Sequence, residues 1–137
     1  MPLVRISLNR PSSEGLAHQV GDRVHRAMVD ALGIPGGDRF QIITEHDDGI
    51  VFDPAFLGIE RTPGIIFIQI TLAAGRSVEV KKALYGRVAE LLSTELDVRP
   101  QDVFISLLEV SPENFSFGNG EAQYADQLPP HLQPAGS

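Results

Sequence analysis

Cysteine and tryptophan are both absent from this chain of 137 residues. Without cysteine, disulfides and thiolate chemistry play no part in its structure or its function. Basic residues are scarce, since 11 lysines and arginines stand against 18 aspartates and glutamates, which gives a formal net charge of −7. Because no cluster of lysine and arginine stands out, we expect no nucleic-acid partner.

Long apolar runs are missing as well. No stretch approaches the roughly 20 apolar residues that a membrane-spanning helix needs. The chain does not start with a basic segment followed by an apolar one, as a secretory signal would. We therefore expect a cytoplasmic protein with no membrane partner, and the length fits a single globular domain.

A proline stands at position 2, directly after Met1 and directly before the apolar segment Leu3–Leu8. Removal of Met1 would expose the secondary amine of Pro2 at the start of a predicted strand. The proline ring fixes φ and so holds that nitrogen rigidly. Such an amine can act as a base, an acid or a nucleophile, depending on its pKa. Met-Pro is also an ordinary chain start, so the rest of the sequence has to decide between the two interpretations.

One β-α-β pattern occurs twice, shifted by 64 residues. The first unit, residues 2–46, is predicted to hold a strand, a helix capped by Ser12 or Ser13, and a second strand. The second unit, residues 64–111, repeats this order with a helix capped by Ser77. The apolar helix positions match in one register: Leu16, Val20, Val24, Met28 and Leu32 pair with Val80, Leu84, Val88, Leu92 and Leu96. The predicted domain, residues 1–127, also includes a linker at 47–63 and a C-terminal arm at 112–127, and residues 128–137 are predicted to be a loose tail.

Each β-α-β unit makes its two strands parallel through a right-handed crossover. Antiparallel pairing of the two first strands at the centre then gives a four-stranded mixed sheet with two helices on one face, which is an α/β (α+β) fold. This arrangement brings four separate segments to the end of the sheet where Pro2 lies. They are Asp38, Arg76 with Ser77, Glu109, and the segment Phe115–Gly118.

These segments suit a small carboxylate substrate. Arg76 stands directly before the Ser77 helix cap, so a guanidinium and a helix N-terminus can meet one carboxylate. An ionised Asp38 beside the Pro2 amine would raise the pKa of that amine and could orient a water molecule. Ser77 and Glu109 are expected to lie just behind the groups that contact the substrate. Each side chain also has an ordinary alternative, such as a surface arginine for Arg76 and a turn residue for Asp38.

Four apolar residues of the arm and tail, Phe115, Phe117, Tyr124 and Leu128, are predicted to form a wall that excludes water from the site. Plain packing of the arm is the alternative, and it is favoured for Tyr124. His131 falls in the predicted tail. No metal is predicted, because the acidic run 45–48 lacks the spacing of a calcium loop or a zinc site.

These residues give the chain a resemblance to the tautomerase superfamily, whose members use an N-terminal proline on a β-α-β fold. It looks most like the malonate semialdehyde decarboxylase group. The segments that carry the resemblance are Pro2-Leu3 and residues 38–41, 75–77 and 115–120.

The resemblance implies that Pro2 is the catalytic amine, that Asp38 is its partner or activates water, and that Arg76 anchors the substrate carboxylate. It further implies a wall formed by Phe115, Phe117 and Leu128, a homotrimer, and catalysis without a cofactor. The chain departs from the family pattern at three points. Ala74 replaces a second arginine, Phe115 replaces a tryptophan, and Arg10 is out of register with the arginine expected before the first helix.

Three functions remain open. The first is decarboxylation of a small 3-oxo acid such as malonate semialdehyde, with hydratase activity as an accompanying option. The second is keto–enol tautomerisation of a 2-oxo acid of the 4-oxalocrotonate or phenylpyruvate type, which needs a neutral Pro2 amine near pH 7. The third is a trimeric structural or binding module with a vestigial site. We expect Asp38 to keep the amine protonated, which favours the decarboxylase.

Overall fold

A computed structural model describes residues 2–133, which form one four-stranded sheet, two long helices and several short turns. The sheet order is β2-β1-β3-β4. The elements are β1 (Leu3–Asn9), α1 (Leu16–Leu32), β2 (Gln41–His46), β3 (Ile66–Ala73), α2 (Val78–Leu96), β4 (Val103–Val110) and the four-residue helix α3 (Gln123–Asp126).

Strand pairing confirms the predicted architecture. β1 runs parallel to β2, and β3 runs parallel to β4. The two first strands, β1 and β3, pair antiparallel at the centre with Ile6 opposite Ile68. The chain therefore folds as two β-α-β units around a pseudo-twofold centre. The starts of β1 and β2 meet the ends of β3 and β4 at one end of the sheet.

Both helices pack on the same face of the sheet and share one apolar core with it. Val4, Ile6 and Leu8 alternate along β1 and point into this core, as the period of two in a strand requires. The predicted inward helix positions are all buried or partly buried in the core. Neither α1 nor α2 covers the other face of the sheet, and its apolar side chains include Phe104 and Leu108, which are 45% and 52% exposed.

The repeat extends to the helix ends. α1 ends at Leu32 and is followed by Gly33 in the left-handed region at φ 70°. α2 ends at Leu96, which is 64 residues later, and is followed by Asp97 at φ 57°. A left-handed residue after the last turn lets backbone N–H groups reach the free carbonyls of the helix end. The helices of the two halves therefore end in the same way, although the residue after the last turn is glycine in one half and aspartate in the other.

The helix starts differ between the two halves. Ser77 caps α2 as predicted, because its Oγ accepts a hydrogen bond from the Val80 N–H at 3.2 Å. The predicted cap of α1 by Ser12 or Ser13 is wrong, because α1 begins after Gly15 and has no side-chain cap. Gly15 adopts φ 84°, a conformation that glycine reaches without a steric penalty, and this turn separates both serines from the first helical residues.

A buried aspartate of the second unit forms hydrogen bonds to the linker. Asp102 is 3% exposed and closes the 3-10 turn that leads into β4. Its Oδ1 accepts a hydrogen bond from the Thr62 N–H at 2.8 Å, and its Oδ2 accepts one from the Thr62 hydroxyl at 2.6 Å. Arg99 lies 3.4 Å from Oδ1 and offsets the charge. These bonds satisfy a carboxylate that would otherwise be costly to bury.

The segment that follows the arm contains a short turn. A 3-10 turn spans Pro130–Leu132, and Leu128, Pro129, His131 and Leu132 are all partly buried. Residues 128–133, which were predicted to belong to a loose tail, thus include a short turn. Residues 134–137 and Met1 lie outside the described residues. No helix of residues 2–133 combines the length and the apolar character needed to cross a membrane.

Candidate active site

Pro2 is buried at the start of β1, where the sheet brings four segments together. The Val4 N–H donates to the Phe40 carbonyl at 3.0 Å, which fixes the first residues of β1 beside the segment that leads into β2. On the other side, Leu3 pairs with Thr71 near the end of β3. Pro2 thus lies between the entrance to β2 and the β3–α2 loop, as the predicted convergence required.

A cavity of about 230 Å³ opens at Pro2. Aromatic side chains dominate its lining, in which two rings of the C-terminal arm, Phe115 and Phe117, stack with their centroids 5.2 Å apart. Tyr124 meets Phe117 edge-on at 4.7 Å. The residues around the cavity are Pro2, Leu3, Phe40, Phe115, Ser116 and Phe117. A cavity of this size and polarity suits a small molecule that carries only a few polar atoms.

Gln123 holds the aromatic segment in place. Its side-chain oxygen accepts a hydrogen bond from the Phe117 N–H at 3.0 Å, and its amide nitrogen donates to the Gly118 carbonyl at 2.9 Å. Gly118 and Asn119, which lie in the turn between Phe117 and Gln123, both have positive φ. The hydrogen bonds of Gln123 therefore stabilise the turn next to Phe115 and Phe117, whose rings line the cavity at Pro2.

Arg76 occupies the loop between β3 and α2. Gly75 takes φ 130° just before it, a value that side-chain-bearing residues rarely adopt. One guanidinium nitrogen, Nη1, donates to the Ala73 carbonyl at 3.1 Å, which orients the charged group. Burial lowers the pKa of Arg76, while the carboxylates of Glu109 and Asp38 act in the opposite direction. The guanidinium is therefore partly desolvated and keeps its charge.

Glu109 supports this loop from the end of β4. Lys81 of α2 donates to its Oε1 at 2.5 Å, and the backbone N–H of Gly75 also bonds to the carboxylate. The hydrogen bond from Lys81 lowers the pKa of Glu109, and the charge of Arg76 lowers it further. Glu109 is thus placed to hold the loop rather than to bind a ligand itself.

Asp38 lies in the turn between α1 and β2, where its N–H donates to the Pro35 carbonyl at 3.0 Å. Its charge acts on three groups from other segments. The pKa of Tyr124 is raised by burial and by Asp38. Burial lowers the pKa of Arg76 and of His131, and the Asp38 carboxylate opposes this lowering at both groups. Asp38, Arg76, Tyr124 and His131 therefore share one electrostatic neighbourhood at the Pro2 end of the sheet.

Two residues of this end were missed by the sequence analysis. Phe40 lines the cavity although it is 49% exposed, and its place within a predicted strand gave no indication of this. His131 was assigned to a loose tail. The signal for its order was the pair Pro129-Pro130, because proline fixes φ and often opens a short turn.

A larger cavity, about 440 Å³, opens at the opposite end of the sheet and is flanked by Arg10 and Arg99. Both arginines are already engaged. Arg10 pairs with Glu45 at 2.8 Å and with Asp47 at 2.7 Å, and Arg99 lies beside Asp102. A carboxylate substrate would have to displace those partners, so this cavity is the weaker candidate.

Comparisons with known proteins identify the family. Two family profiles, each described as tautomerase enzyme, match residues 38–118 and residues 2–52. The probable tautomerase YusQ of Bacillus subtilis (strain 168) is 40% identical over 90% of this chain and 98% of its own length. The chain belongs to the tautomerase superfamily, and within it to the malonate semialdehyde decarboxylase-like group.

Several solved structures are similar to this chain. The FG41 malonate semialdehyde decarboxylase inhibited by 3-bromopropiolate is 40% identical, with a TM-score of 0.83 over 90% of this chain and 95% of that one. Another malonate semialdehyde decarboxylase, studied for its decarboxylase and hydratase activities, is 29% identical, with a TM-score of 0.83 over 92% and 99%. A fused 4-OT asymmetric trimer is 25% identical, with a TM-score of 0.71 over 91% and 99%.

Proposed function

We propose that the protein is a decarboxylase of a small 3-oxo acid such as malonate semialdehyde, and that the Pro2 amine, freed by removal of Met1, is its central catalytic group. The observation that carries this proposal is a buried Pro2 in the wall of a mainly aromatic cavity, at the sheet end that also holds Arg76 and Asp38. The similarity to two malonate semialdehyde decarboxylases supports the same reaction.

The substrate carboxylate binds Arg76, whose remaining N–H groups form charge-assisted hydrogen bonds to it. Decarboxylation breaks the bond between the carboxylate carbon and its neighbour. The electron pair moves into an enolate, and neutral CO2 leaves. A protonated Pro2 amine stabilises the enolate oxygen, and a proton then returns to carbon. The rings of Phe115 and Phe117 favour loss of charge from the carboxylate, because they exclude water.

Asp38 is proposed to hold the amine in its protonated form and to orient water for a hydratase reaction. A carboxylate close to an amine favours the charged amine. The alternative function, tautomerisation of a 2-oxo acid, is supported by the description of the Bacillus relative as a probable tautomerase. A titration of the Pro2 amine by ¹⁵N NMR separates the two, because a pKa well below 7 is required for the tautomerase.

A homotrimer and a cytoplasmic location complete the proposal. The open face of the sheet is partly apolar, with Ile42, Phe104 and Leu108 between 42% and 52% exposed. Phe67 meets Phe104 there at a centroid distance of 5.1 Å. Contiguous apolar surface of this kind is typical of protein interfaces, and trimers occur among similar folds. Sedimentation equilibrium on the purified chain measures the assembly directly.

The experiment uses protein whose mass proves that Met1 is gone. Malonate semialdehyde is supplied as substrate, and the Pro2→Ala variant is expected to lose about 100-fold or more in kcat. Incubation with 3-bromopropiolate is expected to add one covalent label, on Pro2, because an amine attacks an activated alkyne. Arg87→Ala, at a position that does not line the Pro2 cavity, serves as the control. Full activity of Pro2→Ala would reject the catalytic role of Pro2, and a native chain that retains Met1 and shows no turnover would favour a trimeric binding module with a vestigial site.

A further inference from the structure

Phe40 lies directly before β2 and lines the cavity at Pro2. Its carbonyl oxygen accepts a hydrogen bond from the Val4 N–H at 3.0 Å, and Val4 pairs with Gln41 in the parallel ladder between β1 and β2. This hydrogen bond extends the ladder to Phe40 and places it beside Leu3. The backbone of Phe40 is therefore fixed next to the first residues of β1.

The side chain of Phe40 belongs to the open face of the sheet, which neither α1 nor α2 covers. Ile43 of β2 packs against the core beneath the helices, whereas Ile42 is 42% exposed. Because side chains alternate between the two faces of a strand, Phe40 lies on the same face as Ile42. The Phe40 side chain is thus in contact with the cavity on one side and with solvent on the other, since the residue is 49% exposed.

The other rings of the cavity are supported by contacts of their own. Phe115 stacks on Phe117, and Tyr124 meets Phe117 edge-on. Within residues 2–133, no ring contact of this kind involves Phe40. Phe40 is therefore a half-exposed ring at the mouth of the cavity. At that place it can limit the size of a bound molecule without holding the C-terminal arm.

The strand order places Phe40 and Arg76 on opposite sides of Pro2. Pro2 directly precedes β1, which lies between β2 and β3 in the sheet. Phe40 leads into β2, and Arg76 follows β3. A 3-oxo acid carries its carboxylate and its carbonyl carbon on either side of one methylene group. With the carboxylate at Arg76 and the carbonyl at Pro2, the remaining substituent of the carbonyl carbon points toward Phe40.

We propose that Phe40 is a specificity-determining residue that selects an aldehyde over a ketone at the carbonyl carbon of the 3-oxo acid. The inference rests on the proposed decarboxylase function and deepens it by narrowing the substrate class. In malonate semialdehyde this carbon carries a hydrogen atom, which fits beside the ring. In acetoacetate it carries a methyl group, which has to displace the ring toward solvent. Phe40 takes no part in the bond changes of the decarboxylation.

The test compares kcat/KM for malonate semialdehyde and for acetoacetate in the wild-type protein, Phe40→Leu and Phe40→Ala. An apolar pocket discriminates one methylene group by about 10–200-fold. We expect Phe40→Ala to raise the ratio of acetoacetate to malonate semialdehyde activity by a factor in that range, and Phe40→Leu to raise it less. Each variant is checked by its melting temperature and its sedimentation.

Phe56→Ala is the matched control, because Phe56 is 62% exposed on the linker and lies outside the lining of the Pro2 cavity. Its ratio of the two activities should equal that of the wild-type protein. An unchanged ratio in folded Phe40→Ala and Phe40→Leu, or an equal rise in Phe56→Ala, overturns the proposal.

A binding measurement separates this proposal from the reaction itself. Propionate and butyrate each offer one carboxylate to Arg76, carry apolar chains that differ by one methylene group, and undergo no decarboxylation here. In chemical-shift titrations of ¹⁵N-labelled protein, we expect the wild type to bind propionate more tightly than butyrate and Phe40→Ala to reverse this order. Arg76→Ala should lose both. If the wild-type protein does not decarboxylate malonate semialdehyde, the proposed function fails, whereas the role of Phe40 is decided by these titrations. The same order of affinities in wild type and Phe40→Ala overturns that role.

Discussion

Replacing Arg76 tests how a single oriented guanidinium binds the substrate. Its Nη1 is tied to the Ala73 carbonyl at 3.1 Å, which leaves the other N–H groups for a ligand. A bidentate contact supplies two charge-assisted hydrogen bonds of about 1.5–3 kcal/mol each. Arg76 is only partly buried, so we take the lower part of that range. Arg76→Ala should then reduce kcat/KM by about 100–1,000-fold, at about 1.4 kcal/mol for each factor of ten.

Lysine distinguishes charge from geometry at the same position. Arg76→Lys keeps the positive charge but presents a point charge instead of a planar fork. We expect it to recover about half of the lost free energy, so that kcat/KM falls by about 10–30-fold. The rate of decarboxylation is measured from the CO2 that is released or from enzymatic reduction of the aldehyde product.

Arg87→Ala is the matched control for these variants, because Arg87 lies on the same helix that follows Arg76 and pairs with Asp30 on the surface. Its kcat/KM should stay within about twofold of the wild-type value. Melting temperatures show whether each variant is folded. The reasoning is refuted if folded Arg76→Ala remains within about threefold of wild type, or if Arg76→Lys is as active as the native protein.

Two further predictions concern stability. Asp102→Ala removes the buried acceptor of the Thr62 N–H and hydroxyl. We expect the free energy of unfolding, measured by urea denaturation, to fall by about 2–4 kcal/mol. A loss below about 0.5 kcal/mol would contradict a stabilising contact between Asp102 and the linker. Asp97→Gly relieves a left-handed residue at φ 57° after α2, where the matching position of the first half is Gly33. It should raise the free energy of unfolding by about 0.5–1 kcal/mol, and a decrease would refute this reading of the helix end.

Much of the fold was predictable because its signals are periodic. The apolar spacing of the two helices repeats after 64 residues, and both helices end at matching leucines, Leu32 and Leu96. Antiparallel pairing of β1 with β3 was an assumption of the sequence argument, and the register of Ile6 with Ile68 confirms it. The place of Pro2, Asp38 and Arg76 at one sheet end then follows from topology, although their chemical roles remain predictions.

Local geometry was less predictable than topology. Ser12 and Ser13 are good helix caps by residue type, yet the left-handed turn at Gly15 starts α1 beyond their reach. The cavity role of Phe40 depends on how the C-terminal arm folds back, which no periodic pattern describes. The order of residues 128–133 likewise depends on tertiary contacts. A proline-rich composition indicated a loose tail, whereas the two prolines instead shape the turn that carries His131.

The two halves of the pseudo-twofold fold are similar in structure, but they cannot both carry a terminal amine. The position that matches Pro2 in the second half is Ile66, in the interior of the chain, where the nitrogen is an ordinary amide. The two matching aspartates differ in the same way. Asp38 lies near ionisable groups such as Arg76, whereas Asp102 accepts hydrogen bonds from Thr62. Because a chain has one N-terminus, the proposed removal of Met1 would expose a single secondary amine, at Pro2. Each subunit can therefore hold one proline centre, and labelling should saturate at one equivalent per polypeptide.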